Sequence, residues 1–313
     1  MRDRQAFEPT ELPNLGFISS LEIFRLNIVN KKKSLLFVVG PTASGKTALS
    51  IQLAKKYNTE IISADSRQIY KGLRIGTAQP TIEEQQQVKH HLIDFVEVDK
   101  LYTVKDYSLE ANEIIKRLFI DHDVIIVCGG TGLYINALVY GINDIPSISL
   151  ELRNTLREEY KTYGLEHICN KLKVLDPHCG EYLDMKNPHR VLRALEVIIQ
   201  TGKPIRDFFS KRSVRQDYVY LFKYINLPQE TLYKRIDERV DKMIQQGLIE
   251  EAKDFKVFKD CNALQTIGYK EIFKYLDNKI TLTEAIEKIK INTHHYAKRQ
   301  ITWFDKQIPI LDN

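Results

Sequence analysis

No apolar run in this sequence approaches the roughly 18 residues that a membrane-crossing helix needs, so no membrane partner is expected. Cysteine is scarce: Cys128, Cys169, Cys179 and Cys261 stand alone, without a Cys-x-x-Cys pair. Two of the four fall in apolar or helical contexts, which suits free thiols in a cytoplasmic enzyme. Closely spaced ligands for a zinc ion are also lacking. The first thirty residues have no long apolar stretch of the secretory kind, and Asp3, Glu8, Glu11 and Glu22 argue against a transit peptide. With Pro9, Pro13 and Gly16, residues 1–30 read as a poorly ordered extension ahead of the run Lys31-Lys32-Lys33. It carries no identifiable chemistry. What remains is ordinary for a globular chain: 313 residues, 43% hydrophobic and 28% charged, enough for one large or two ordinary domains with a proper core.

Acidic residues are sparse in one place. The net charge is only +5, but residues 186–215 hold eight basic side chains (Lys186, Arg190, Arg193, Lys203, Arg206, Lys211, Arg212, Arg215) against Glu196 and Asp207. The rest of the chain therefore sums to −1. Such a local excess suggests a polyanionic partner larger than a small ligand. A solvated helical face followed by a basic linker would show the same composition.

The organising stretch is residues 34–47. An apolar run, Leu35–Val39, reads as a buried strand, ends in Gly40-Pro41-Thr42-Ala43-Ser44-Gly45-Lys46-Thr47, and leads into helix-spaced Leu49, Leu53 and Ala54. Strand, glycine loop and helix in this order form the setting of a phosphate-binding loop. Its glycines let backbone N–H groups and the helix N-terminus converge on an anion. Lys46 adds a point charge, and the Thr47 hydroxyl suits a magnesium ion.

Farther on, Ile61–Ala64 reads as a second strand with Asp65 at its carboxyl end, the edge where open α/β sheets bind ligands. A carboxylate there suits a general base, a substrate anchor or a magnesium ligand, although a turn aspartate is equally at home. His90 and His91 are adjacent, and adjacent side chains on a strand diverge, which favours structural roles over metal binding. The strand Val124–Cys128 ends where a nucleotide-hydrolysing protein carries its second acid, yet here Cys128 precedes Gly129-Gly130-Thr131-Gly132. That absence argues against an ATPase or GTPase, and the glycine run offers a second bare surface for close approach of a ligand. Helical signals then take over near 150–163, 165–175 and 188–201, the last with Asn187 as N-cap, Pro188 at N1 and Gly202 past its end. Core-like sequence resumes at Tyr218–Ile225. A long helix is expected from Pro228 to about Phe258, with Arg235 and Arg239 one turn apart, and a last one from the Thr281-x-x-Glu284 box to Phe304. On that last helix His294, His295, Lys298 and Arg299 interleave with Tyr296, Trp303 and Phe304. Such a pattern suits either a nucleic-acid backbone or a packing helix with one wet face.

Together these segments predict an α/β fold: a P-loop NTPase-like parallel sheet core with a helical insertion domain. The expected divisions are 1–30, the first part of the core at 31–145, the insertion at 146–215, and the core continuation with C-terminal helices at 216–313. The motifs Gly-Pro-Thr-Ala-Ser-Gly-Lys-Thr (40–47), Asp-Ser-Arg-Gln-Ile-Tyr (65–70) and Gly-Thr-Ala-Gln-Pro (76–80) resemble the tRNA dimethylallyltransferase family. So do His-His-Leu-Ile-Asp (90–94), Gly-Gly-Thr-Gly-Leu-Tyr (129–134), Asn-Pro-His-Arg-Val-Leu-Arg-Ala-Leu-Glu (187–196), Ile-Gly-Tyr-Lys-Glu (267–271) and Tyr-Ala-Lys-Arg-Gln-Ile-Thr-Trp-Phe (296–304). They run in the family's order from residue 34 onward. The chain departs from the pattern at Gln79, at Val88-Lys89-His90-His91, at Tyr107-Ser108 and at Asp305. Of these, Gln79 and Asp305 are expected to bear on tRNA contacts.

The resemblance implies transfer of a dimethylallyl group from dimethylallyl diphosphate to N6 of adenosine 37, next to the tRNA anticodon, with magnesium. It implies Asp65 as general base and Thr131 near the reacting centre. The diphosphate would lie on Gly40, Pro41, Thr42, Ala43, Ser44, Gly45, Lys46 and Thr47, with Arg239 beside it and Thr47 toward Mg2+. Family tRNA contacts fall on Asp65, Ser66, Arg67, Gln68, Thr131, Arg153, His189, Arg190, Val191, Leu192, Arg193 and the run Gln265, Thr266, Ile267, Gly268, Tyr269, Lys270. The insertion would grip the anticodon stem-loop of a base flipped from its stack. A monomer is expected. The alternatives are an adenylate isopentenyltransferase, a P-loop small-molecule kinase and an RNA-binding protein with a relic loop.

Overall fold

The computed structural model describes residues 32–209 and 213–307; the expected N-terminal extension, Lys31, Lys211 and Arg212 lie outside them. Five strands form one parallel sheet: β1 (Ser34–Val39), β2 (Ile61–Ser63), β3 (His90–His91), β4 (Val124–Gly129) and β5 (Val219–Tyr224), in the order β3-β2-β4-β1-β5. The interior strand β1 is buried along its whole length, as expected of a parallel strand covered on both faces, which reads as an unbroken apolar run. Each fully buried Val, Leu or Ile side chain contributes about 1.5–3 kcal/mol of hydrophobic stabilisation.

Four helices accompany the first strands: α1 (Lys46–Tyr57), α2 (Ile82–Gln87), α3 (Val104–Asp121) and α4 (Gly132–Tyr140). Ile51 and Ala54 of α1 pack with Leu36, Val38, Ile61 and Ile126 of the sheet. Both α2 and α3 begin in capping boxes, Thr81 with Glu84 and Thr103 with Asp106. His91 bonds to Glu60, and His90 Nδ1 lies 2.8 Å from the Val88 carbonyl. Both histidines therefore serve the fold.

Residues Gly141–Val214 form a separate compact unit, against the 146–215 expected. It contains α5 (Leu150–Leu175), interrupted at Gly164, then α6 (Cys179–Tyr182) and α7 (Pro188–Thr201). Leu156, Ile168 and Leu172 of α5 pack against Val191, Leu195 and Ile198 of α7. Asn187 caps α7 by accepting from the backbone N–H groups of His189 and Arg190.

The first unit resumes with β5 and continues through α8 (Gln229–Gln245), α9 (Leu248–Asp254), α10 (Tyr269–Leu276) and α11 (Leu282–Gln307). The single helix expected from Pro228 to Phe258 is thus two. Gly247 separates them, its φ of 101° lying where an α-helix cannot continue. Leu232, Ile236, Val240 and Met243 of α8 are buried, and α11 buries Ala285, Ile289, Thr293, Ala297, Gln300 and Phe304 at helical spacing. Gln300 is the conspicuous member of that stripe, because a buried amide needs hydrogen-bond partners.

Candidate active site

The adjacent strands β2, β4 and β1 end together at the carboxyl edge of the sheet. Each delivers one loop: β1 the run Gly40–Thr47, β4 the run Gly130–Thr131, and β2 the turn Asp65–Gln68. With neighbouring strands about 4.8 Å apart, β1 and β2 are separated by about 10 Å across β4. The glycine loop after β1 and the Asp65 turn after β2 therefore lie one strand apart on the same edge of the sheet.

Gly45 is the N-cap of α1 with φ 94°, a left-handed conformation that side chains resist. The first turn of α1 carries no acidic residue, so no carboxylate on it competes with an anion. Lys46 Nζ donates to the Pro41 carbonyl at 2.7 Å. Burial lowers its pKa to about 8; Cys128 and Asp65 act in the opposite sense, and Arg239 lowers it further. From α8, Arg239 Nη2 donates to Thr42 Oγ1 at 2.7 Å. Burial lowers Arg239 to about 10, opposed by Asp65 and Tyr296, so it stays charged at neutral pH. Ser44 Oγ and Arg239 Nε are buried and have no hydrogen-bond partner among the described residues. Buried polar atoms are normally satisfied, so these two atoms fit a loop built to receive an anion.

Asp65 Oδ1 accepts from the backbone N–H groups of Arg67 at 2.8 Å and Gln68 at 3.3 Å. The turn-aspartate geometry is thus present, and it fixes the carboxylate while leaving Oδ2 for other work. Thr131 Oγ1 accepts from Ser66 N at 3.0 Å and donates to Ser66 Oγ at 3.3 Å, tying the β4 loop to the Asp65 turn. Two phenols adjoin this carboxylate. Tyr134, stacked on Tyr107 at 3.9 Å, is pushed well up by burial, then by Tyr70 and Asp65. Tyr296 is raised by burial and by Asp65. Both stay protonated at neutral pH.

Gly129 at the end of β4, Gly130, and Gly132 at the start of α4 are required by the protein's own packing. A Cβ on Gly129 would meet the Ala64 carbonyl oxygen at 2.2 Å, one on Gly130 the Gln300 amide nitrogen at 2.2 Å, and one on Gly132 the Trp303 ring at 2.3 Å. Gln300 carries a pair of bonds that the sequence reading missed. Its Oε1 accepts from Thr42 N at 2.8 Å, and its Nε2 donates to the Gly130 carbonyl at 2.9 Å. Glu251 was missed too. It accepts from the backbone N–H groups of Arg74, Ile75 and Gly76 at 2.8–2.9 Å and from the Tyr269 phenol at 2.6 Å, holding the loop beyond Asp65.

The residues expected to touch tRNA divide by burial. His189 and Arg190 are exposed at the start of α7, and Gln265 and Lys270 are exposed beside α10. Val191 and Leu192 lie in the core of the second unit, and Gly268 and Tyr269 in that of the first, so their side chains pack rather than reach out. Thr266 and Ile267 are half-buried. Arg153 and Arg193 flank the buried Glu196 at 3.6 and 3.2 Å. Gln68 spends its amide on the Thr77 and Ala78 carbonyls, and Arg67 Nη1 donates to the Asn262 carbonyl. Gln79, expected to bear on tRNA contacts, is buried and donates to the Gln68 and Tyr70 carbonyls, which makes it a brace for the Asp65 turn.

Among the described residues no group of three or more His, Cys, Asp or Glu could hold a metal ion. A magnesium ion here would take most of its ligands from a bound diphosphate and water, a mode common for that ion, and Thr47 at the first turn of α1 fits the remaining position.

Residues 68–307 match the model of a family described as IPP transferase. The chain is 44% identical to a tRNA dimethylallyltransferase of Cytophaga hutchinsonii, covering 89% of this chain and 91% of that one. Identity is 47% with the tRNA dimethylallyltransferase of Alkaliphilus oremlandii, over 87% and 88%. Among solved structures, a tRNA isopentenylpyrophosphate transferase from Bacillus halodurans is 39% identical with a TM-score of 0.64, covering 88% of each chain. A eukaryotic dimethylallyltransferase acting on tRNA superposes with a TM-score of 0.75 at 29% identity, over 87% of this chain and 70% of that one. By the family match and these identities over most of its length, the chain belongs to the IPP transferase family.

Proposed function

We propose that this chain transfers the dimethylallyl group of dimethylallyl diphosphate to N6 of adenosine 37 in tRNA. The observation that carries the reading is the facing arrangement of two loops in a member of this family: the Gly40–Thr47 run at the end of β1 and the Asp65 turn at the end of β2. A donor with its diphosphate on the first loop would extend its allylic carbon toward the second, across β4. The N6 nitrogen attacks that carbon as the C–O bond breaks, and the electron pair of that bond leaves with the diphosphate. Lys46, Arg239 and the N–H groups at the start of α1 stabilise the charge that builds on the leaving oxygens, usually the largest contribution such a site makes. Asp65 Oδ2 accepts the proton lost from N6, with Oδ1 already held by two backbone N–H groups. An exocyclic adenine amine is a poor nucleophile, so a positioned base is worth about 10²–10⁴-fold in rate. Magnesium bound by Thr47 and the diphosphate oxygens would supply further charge neutralisation. His189 and Arg190 of the second unit and Gln265 and Lys270 of the first are the exposed candidates for gripping tRNA.

The test is incubation with dimethylallyl diphosphate, magnesium and an unmodified tRNA carrying adenosine at position 37, with AMP and ATP also present, followed by mass spectrometry of the free nucleotides and of the nucleosides from the digested tRNA. N6-dimethylallyladenosine is the expected product. Prenylated AMP with untouched tRNA would instead identify an adenylate isopentenyltransferase. ATP turnover would identify a small-molecule kinase.

A further inference from the structure

In the sequence Gln300 is one residue of a motif, without an assigned role. In the fold it is a staple between the Gly40–Thr47 loop and the loop after β4, which in turn is tied to the Asp65 turn. Its side chain lies on the buried stripe of α11, where the neighbouring positions Ala297 and Phe304 are apolar. It is only 7% exposed, and both ends of its amide are used. Oε1 takes the N–H of Thr42 in the anion loop, and Nε2 bonds the carbonyl of Gly130 at the end of β4. Arg239 reaches the same residue of the anion loop through the Thr42 hydroxyl, so Thr42 is held from α8 and α11 together. The second loop is equally constrained. Thr131 N donates to the Ala64 carbonyl at 3.1 Å, and its hydroxyl is bonded to Ser66. A chain of direct contacts therefore runs from Thr42 through Gln300 and Gly130–Thr131 to the Asp65 turn.

The space for this staple is reserved in the backbone. A Cβ on Gly130 would meet Gln300 Nε2 at 2.2 Å, so any side chain there displaces the amide. No isosteric apolar residue could replace Gln300 without leaving the half-buried Thr42 N–H and the buried Gly130 carbonyl without this partner, and the buried carbonyl is costly in a low-dielectric interior. The two amide bonds also have opposite polarity. Only a primary amide of this length accepts at one end and donates at the other, which distinguishes it from glutamate as well as from methionine.

We infer that Gln300 is a positioning residue for prenyl transfer. By fixing the anion loop against the β4 loop, it sets the separation between the leaving diphosphate and the carboxylate of Asp65. This inference rests on the proposed reaction. A displacement of about 1 Å between reacting groups is enough to lower a rate about 10²-fold, so a staple of this kind acts on the chemical step more than on the affinity for tRNA.

The experiment compares wild type with Gln300→Met, Gln300→Glu, Gly130→Ala and the double variant Gln300→Met/Gly130→Ala. Three quantities are read: the single-turnover rate at saturating donor and tRNA, the Kd for tRNA without donor, and the Kd for inorganic pyrophosphate. Gln300→Met is expected to lower the single-turnover rate about 30- to 100-fold and to weaken pyrophosphate binding several-fold, with tRNA affinity within about twofold of wild type. Gln300→Glu keeps the acceptor for Thr42 N but turns a carboxylate oxygen on the Gly130 carbonyl, so it fails to rescue. Gly130→Ala should match Gln300→Met, and the double variant should be no slower than either, because both act through one contact. A wild-type turnover rate in Gln300→Met, a rate loss matched by lost tRNA affinity, or multiplicative losses in the double variant would each overturn the assignment. Pyrophosphate binding by wild type without prenylated product would count against the proposed reaction alone. The effect of Gln300→Met on pyrophosphate affinity would then still decide whether Gln300 shapes the anion loop.

Discussion

In the proposed reaction Asp65 and Lys46 divide the work between proton and leaving group, and each can be tested separately. Asp65→Asn keeps the turn, since an amide oxygen can still accept from Arg67 N and Gln68 N, but it removes the base. We expect the single-turnover rate to fall about 10²–10⁴-fold with tRNA affinity unchanged, measured by rapid quench and filter binding. Lys46 predicts a pH dependence. Burial is the main cause of its pKa falling to about 8, so in the protein without donor the ammonium is charged at pH 7 and loses its proton as pH rises through about 8. The charged form is the one that binds a diphosphate. The kcat/KM for the donor should therefore fall above about pH 8, while kcat at saturating donor, where the bound anion holds the proton on, should fall only at higher pH. A flat kcat/KM from pH 7 to 10 would remove Lys46 from the diphosphate site. The folded protein's stability should respond in the opposite sense. A lysine whose folded pKa is below its unfolded value adds stability as pH rises between about 8 and the ordinary lysine value of about 10.4, because there the unfolded chain binds more protons.

Elements explain which parts of the sequence were readable. The anion loop was legible because strand, glycine pattern and helix are contiguous, so local physics alone specifies Gly40 to Thr47. The parallel strands were legible from their apolar runs, and the helices of the second unit from caps at Asn187 and Gly202. The break between α8 and α9 was not, since the apolar spacing runs through Gly247 and only the backbone conformation ends the helix. Gln300 and Glu251 were invisible for a different reason. Their backbone partners are 258 and 170 residues away (Thr42 and Gly130 for Gln300) or 175 to 177 away (Gly76 to Arg74 for Glu251), and no local pattern marks such a bond. Gln300 did leave a trace, as a polar residue on an apolar stripe. The glycines from 129 to 132 carried a true signal of close approach, and the packing of Ala64, Gln300 and Trp303 requires it. Gly129→Ala tests that packing. Its Cβ would press on a backbone oxygen that cannot swing away, so a loss of about 1–3 kcal/mol is expected in urea unfolding. Gly180→Ala, where nothing lies within 4 Å, should be neutral or slightly stabilising. Equal effects at the two positions would remove the packing requirement at Gly129.

At the scale of the molecule, the two units have separate cores, and that separation makes anion binding and tRNA binding distinguishable by mutation. The anion loop lies in the first unit, whereas Arg190 is exposed at the start of α7 in the second. Arg190→Ala removes one cation without disturbing a core. It should weaken tRNA binding and reduce the slope of log K against log salt by about 1, with pyrophosphate affinity unchanged. Arg153 and Arg193 belong to a different class, although they share the same basic region. They flank Glu196, which is 6% exposed on the inner side of α7, so removing either leaves a buried carboxylate with one partner fewer. Breaking a buried pair in this way typically costs about 3–5 kcal/mol when the charge is left uncompensated. Here the remaining arginine and the partial exposure of both guanidinium groups keep the expected loss at the lower end of that range or below it. Arg193→Ala should therefore lower the stability of the second unit as well as tRNA affinity, and the replacement of Glu196 by glutamine in the same chain should recover part of the stability without restoring the affinity. Thermal unfolding followed by tRNA titration over a range of salt concentrations separates the two losses. If Arg190→Ala and Arg193→Ala instead change stability equally, these two arginines of α7 serve the fold of the second unit rather than a polyanionic partner.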